Sequence, residues 1–126
     1  ARSVLSRRYR PGWHSVGAAV RGRSGRIYTA VNLNARYVGQ VDMCAEAIAV
    51  GMAVAAGEKG LDSIVAVQRG DRGARSPRGR IVPPCGVCRE LLVDYAPKIT
   101  VLLAGPRGSV AHATAEDLLP ERYVDP

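Results

Sequence analysis

The residues of this chain best suited to chemistry are three cysteines and a glutamate: Cys44-Ala45-Glu46 and, 41 residues after Cys44, Pro84-Cys85-Gly86-Val87-Cys88. Cys85 and Cys88 stand at i and i+3, so in a helix both sulfurs project from the first turn, where unpaired N–H groups and the helix dipole favour thiolate. Cys44 opens a second apolar stretch in the same way. Two such helix tips meeting head to head place three thiolates around one Zn²⁺ at about 2.3 Å each and leave the fourth tetrahedral position to water. Three protein ligands mark a catalytic rather than a structural site, and the cation lowers the pKa of its water from 15.7 toward about 7. Glu46, two residues after Cys44, can face that water without ligating, take its proton, and pass it to a ring nitrogen and then to a leaving amine. The chemistry implied is hydrolytic deamination with release of ammonia.

The alternatives carry less of the pattern. A lone Cys-x-x-Cys also suits a redox pair or half a zinc ribbon, but no second pair completes a ribbon. A closed structural zinc site that binds a partner through a basic loop needs a fourth ligand, and neither His14 nor His112 has the spacing that predicts one. A nucleic-acid editing deaminase, acting on RNA for example, is suggested by Arg69, Arg72, Arg75, Arg78 and Arg80, yet no aromatic residue interleaves with them to stack bases. Nucleic acid is therefore the less favoured partner, and a small aminated heterocycle the favoured one.

These residues must be positioned by the elements around them. Residues 16–20 and 27–31, with a turn at 22–25, predict a β-hairpin. Residues 44–56 are apolar almost all round and end at Gly57, predicting a buried helix with a glycine C-cap. The run 63–67 predicts a strand covered on both faces. Residues 69–80, punctuated by Gly and Pro, read as a loop. Apolar residues at 87, 91, 92 and 95 predict a helix over 85–95 closed by Pro97, followed by strands at 99–104 and 109–113 and a short helix opened by the capping-box pattern Thr114-Ala-Glu-Asp117. This order predicts a single α/β domain spanning 1–126, a three-layer α/β/α sandwich with a mixed central sheet.

Composition sets the remaining limits. A chain of 126 residues fits one domain, and the net charge of +7, from sixteen Arg and two Lys against eleven acids, fits either an anionic partner or a solvated basic surface. No run of eighteen apolar residues is present and the first ten residues are basic, so no membrane association is expected; the odd cysteine count points to a reducing compartment, and a cytoplasmic location is the expectation. So much apolar helix surface on so small a chain predicts an oligomer, most simply a homotetramer.

The chain resembles the cytidine deaminase superfamily from about Trp13 to Tyr123. The resemblance is carried by Val16-Gly17-Ala18-Ala19, Gly25-Arg26-Ile27-Tyr28-Thr29, Val31-Asn32-Leu33-Asn34, Cys44-Ala45-Glu46, Pro84-Cys85-Gly86-Val87-Cys88-Arg89 and Leu118-Leu119-Pro120, in family order. The last stretches look like the blasticidin S deaminases within it. The resemblance implies a three-layer α/β/α fold, one zinc per subunit held by Cys44, Cys85 and Cys88, Glu46 as the proton carrier, and a homotetramer whose sites borrow residues from neighbouring subunits. It also implies substrate contacts at Asn32, Asn34, Ala45, His14 and Tyr123. Asn32-Leu33-Asn34 stands where relatives carry Asn-x-Glu to hold ribose, so the Glu is missing. His14 and Tyr123 stand where relatives place stacking Phe residues. Ala47 replaces an Arg that offsets thiolate charge in many relatives, which leaves helix N-termini or Arg89 to do so.

Overall fold

A computed structural model describes residues 1–70 and 79–125. The elements are α1 (Arg2–Arg8), β1 (Val16–Gly22), β2 (Ile27–Val31), α2 (Ala45–Ala55), β3 (Leu61–Gln68), β4 (Arg80–Val82), α3 (Gly86–Tyr95), β5 (Thr100–Ala104) and β6 (Val110–Thr114), with short 3-10 turns at Gly39–Val41, Pro106–Gly108 and Glu116–Leu118. The described strands form one mixed sheet in the order β2-β1-β3-β5-β6. The predicted hairpin pairs Gly17 with Val31 through Arg21 with Ile27, and β1 pairs antiparallel with β3 on its other side. β5 runs parallel to β3 at Ser63 and Ile64, while β4 pairs antiparallel with the far half of the same strand, at Ala66 to Gln68. β3 is thus the central strand, and its Cys-proximal end receives β4, an element missing from the predicted order because its three residues follow a Gly- and Arg-rich stretch.

Alternation along β1 assigns the two faces of the sheet. Ala18 and Val20 join Ala45, Ala49, Val50 and Ala53 of α2, with Leu92 of α3, in the main core. Gly17 points the other way, to Leu5 of α1, which is almost fully buried. A Cβ built on Gly17 would meet the Leu5 Cβ at 2.8 Å and the Ala1 carbonyl oxygen at 3.0 Å, so the glycine is what lets α1 lie on the strand. The three-layer arrangement holds, but its second helical layer includes α1, a segment the sequence reading treated only as basic.

Further differences concern helix faces and caps. α2 buries Ala45, Glu46, Ala49, Val50 and Ala53 on one side only; Met52 and Val54 are exposed in the single chain. In α3 the buried residues are Cys88 and Leu92, while Val87 and Tyr95, counted above toward the apolar face, are exposed. Gly57 does end α2, with φ +82° and its N–H on the Val54 carbonyl oxygen. The capping box at Thr114 and Asp117 forms reciprocally, each backbone N–H reaching the other's side chain, but it starts a 3-10 turn rather than a longer helix. Most of the predicted 69–80 loop lies outside the described residues. No described helix is long and apolar enough to cross a membrane.

Candidate active site

Cys44 immediately precedes α2 and Cys85 immediately precedes α3, each in the extended conformation of a helix N-cap. Neither cap is closed by a side-chain hydrogen bond, so the free N–H groups of both first turns point toward the same space. Cys88 lies one turn into α3 and is fully buried. The sulfurs of Cys44 and Cys85 are 3.5 Å apart, and all three sulfurs lie within 4.8 Å of one another. Tetrahedral ligands about 2.3 Å from a metal sit roughly 3.8 Å apart, so this donor set fits a zinc-sized cation. Among the described residues no fourth His, Cys, Asp or Glu joins the group, and His14 and His112 stand outside it.

The electrostatics favour the same occupant. Burial drives the Cys88 thiol far above its ordinary value and raises that of Cys44. Burial acts in that sense on Cys85 too, but the Cys88 backbone N–H and hydrogen bonds among the sulfurs outweigh it and leave the Cys85 thiol lowered. Three thiols this close lose their protons together only against a cation. Glu46, in the first turn of α2 and 6 % exposed, has its carboxyl raised by desolvation, partly offset by its own backbone N–H. A raised carboxyl is suited to carrying a proton near neutral pH.

These groups open into a cavity of about 340 Å³, the size that small-molecule sites occupy. Val16, Gln68, Val82 and Pro83 line it from the sheet, Asn32, Asn34, Asp42 and Met43 from the segment before α2, and Cys44, Ala45, Glu46 and Cys85 from the two helix tips. Of the residues expected from the sequence, Ala45, Asn32 and Asn34 reach the cavity. Asn32, however, has its whole amide engaged. Its Oδ1 accepts from the N–H groups of Ser15 and Val16, both at 2.9 Å, and its Nδ2 donates to the Trp13 carbonyl oxygen at 3.0 Å and to Asn34 Oδ1 at 2.9 Å. An amide has two donors and two acceptor sites, so Asn32 clamps the entry of β1 and keeps nothing free for a ligand.

His14 and Tyr123 are not among the lining residues. His14 Nδ1 donates to the Asn32 carbonyl oxygen at 2.8 Å, tightening the same clamp. Tyr123 is 80 % exposed in the single chain. Arg89 donates to the carbonyl oxygens of Pro84 and Leu118, at 2.9 and 3.0 Å, so it fixes the peptide before Cys85 rather than bonding to sulfur. The sequence reading missed Asp42, Met43, Gln68, Val16, Val82 and Pro83 as lining residues. A position rule would have found two of them: Asp42 and Pro83 each stand two residues before a cysteine that opens a helix.

A mixed sheet with helices on both faces, and two helix tips that bring three cysteines and a glutamate to one cavity, define the deaminase class. The chain belongs to the cytidine deaminase-like family, whose model matches residues 1–83. It is an enzyme, a hydrolase of carbon–nitrogen bonds in cyclic amidines. It is similar to blasticidin-S deaminase of Bacillus cereus, 45 % identical over 116 residues that cover 92 % of this chain and 81 % of that protein. It is also similar to cytidine deaminase of Halalkalibacterium halodurans, 31 % identical over 111 residues, 86 % of this chain and 76 % of that one. Among solved structures, cytidine deaminase from Burkholderia pseudomallei matches with a TM-score of 0.76 at 28 % identity, covering 98 % of this chain and 93 % of that one.

Proposed function

We propose that this chain is a zinc-dependent deaminase that converts the exocyclic amino group of a small aminated heterocycle to a carbonyl. The substrate class is a cytidine-type nucleoside, a nucleoside antibiotic or a free base. The observation that carries the reading is the three sulfurs within 4.8 Å of one another, beside a buried Glu46, at the head of a closed-sided cavity. The names of the relatives support the substrate class.

Zinc held by Cys44, Cys85 and Cys88 supplies, when bound, the Lewis acidity that makes a water nucleophilic at neutral pH. The rest falls to the chain. Val16, Val82, Pro83 and Met43 offer apolar surface to a flat ring and exclude bulk water from it. Glu46 takes a proton from water, delivers it to the ring nitrogen next to the amino-bearing carbon, and later protonates the departing amine. Water adds across that carbon, the C–N bond breaks, and the products are the carbonyl compound and ammonia. A cytoplasmic location and a homotetramer belong to the same proposal, supported by the reduced state of the cysteines and by the apolar outer face of α2.

Glu46→Gln separates this reading from a structural zinc protein. The variant is expected to bind one zinc per chain by elemental analysis, while ammonia release falls by about two to four orders of magnitude, the scale of a lost general acid–base group. Full activity in that variant, or no ammonia from the zinc-loaded wild type across aminopyrimidine, aminopurine and triazine compounds, would overturn it.

A further inference from the structure

The cavity has a charge opposite to that of the chain. The protein carries +7, yet the lining holds two carboxylates, Glu46 and Asp42, and among the described residues no Lys, Arg or His. Glu46 is committed to the reacting centre. Asp42 is not, and its position is built rather than incidental.

The segment between β2 and α2 is closed at its base by a two-way backbone bridge: the Leu33 N–H reaches the Met43 carbonyl oxygen at 3.0 Å, and the Met43 N–H returns to Leu33 at 2.9 Å. Within that closed loop the Ala35 N–H donates to Asp42 Oδ1 at 2.6 Å, and the Asp42 N–H donates to the Gly39 carbonyl oxygen at 3.0 Å. One carboxylate oxygen is therefore consumed in holding the loop, and Oδ2 has no partner among the described residues. Beside it in the lining, Asn34 has spent one donor on Gly12 and one acceptor site on Asn32, which leaves an N–H and a lone pair. Gln68 lines the cavity from β3.

We propose that Asp42 is a specificity-determining residue: its free carboxylate oxygen receives a cationic nitrogen, an ammonium or guanidinium, on the substituent that the aminated ring carries. The proposal rests on the deaminase reading above and narrows its substrate class. A substituent bearing an ammonium gains a charge-assisted hydrogen bond at Asp42, with the spare acceptor site of Asn34 to share it. A phosphorylated substituent meets an anion there and no described cation in the lining.

The test compares three cytosine nucleosides on the zinc-loaded enzyme: cytidine, 5′-amino-5′-deoxycytidine and cytidine 5′-monophosphate, each followed by ammonia release and by kcat/KM. The expected order is the amino compound first, cytidine second and the phosphate last. In Asp42→Asn, which keeps an oxygen for the Ala35 N–H, the ratio of the amino compound to cytidine is expected to fall about tenfold, the scale of one hydrogen bond to a charge. Asp42→Glu, which keeps the charge, is expected to retain a ratio above one. An unchanged ratio in Asp42→Asn, or a wild type that turns over the phosphate best, overturns the role of Asp42. No ammonia from any of the three fails the deaminase reading itself. In that event the Kd values of the amino compound for wild type and Asp42→Asn, by calorimetry, still decide the point: a loss of about tenfold upholds the contact and equal values overturn it.

Discussion

At the scale of single residues, the division of labour is between groups whose bonds are spent and groups whose bonds are free. Asn32 is the clearest spent group. Four hydrogen bonds tie it to Trp13, Ser15, Val16 and Asn34, and its own carbonyl oxygen holds His14. Asn32→Ala orphans the Ser15 and Val16 N–H groups at the start of β1, the strand that carries Val16 into the cavity. A net cost of about 1–3 kcal/mol is expected, the cost of leaving buried donors unsatisfied, with a matching fall in the denaturation midpoint by urea titration. A role in binding alone would instead raise KM and leave that midpoint unmoved. The sequence makes such a residue look like a ligand, because an asparagine at the end of a strand displays its chemistry and hides its partners. The cysteines and Glu46 are the opposite case. Their spacing on two helix starts is itself the geometry, so i, i+2 and i, i+3 offsets are enough to read the half-sites.

At the scale of elements, the site is a junction between α2 and α3 that the protein alone holds weakly. Both helices begin at a cysteine that makes no side-chain cap, and the fully buried thiol of Cys88 stands against two others. A cation bound there satisfies three sulfurs at once and cross-links the helix starts, and what binds only the folded chain stabilises it. Removal of metal with a chelator is therefore expected to lower Tm by several degrees, and one equivalent of zinc to restore it. In Cys88→Ala both responses are expected to shrink sharply; a chelator-insensitive Tm in the wild type would refute the cross-link. The two helices were legible from apolar spacing and from Gly57 and Pro97. α1 was not, since a seven-residue helix with Leu5 as its one buried side chain offers no periodicity, and its seat depends on Gly17, a residue in another element. β4 was hidden for a similar reason: its three residues are defined by pairing with Ala66, Val67 and Gln68, not by their own pattern.

At the scale of the whole molecule, the outer face of α2 is the feature a single chain does not account for. Gly51, Met52, Val54 and Ala55 are all exposed on a helix whose opposite side is the core. Exposed large apolar residues also gather before it, at Val38, Val41 and Met43, in the segment that helps wall the cavity. Contiguous apolar surface of this kind is uncommon on monomers, and stable interfaces bury about 800 Å² per partner. Small side chains at 51 and 55 allow close helix approach, while Met52 and Val54 supply the area. Light scattering is therefore expected to give a mass four times the 13.4 kDa chain. The double variant Met52→Asp and Val54→Asp places like charges on every copy of that face, and a shift toward smaller species is expected at unchanged zinc content. Tyr123, far from the cavity of its own chain, gives the experiment a second reading. If its ring serves a neighbour's site, the dissociated variant loses catalytic efficiency, and Tyr123→Ala in the intact assembly loses it by a similar factor. A wild type that is monomeric at micromolar concentration would remove both the interface and that role for Tyr123.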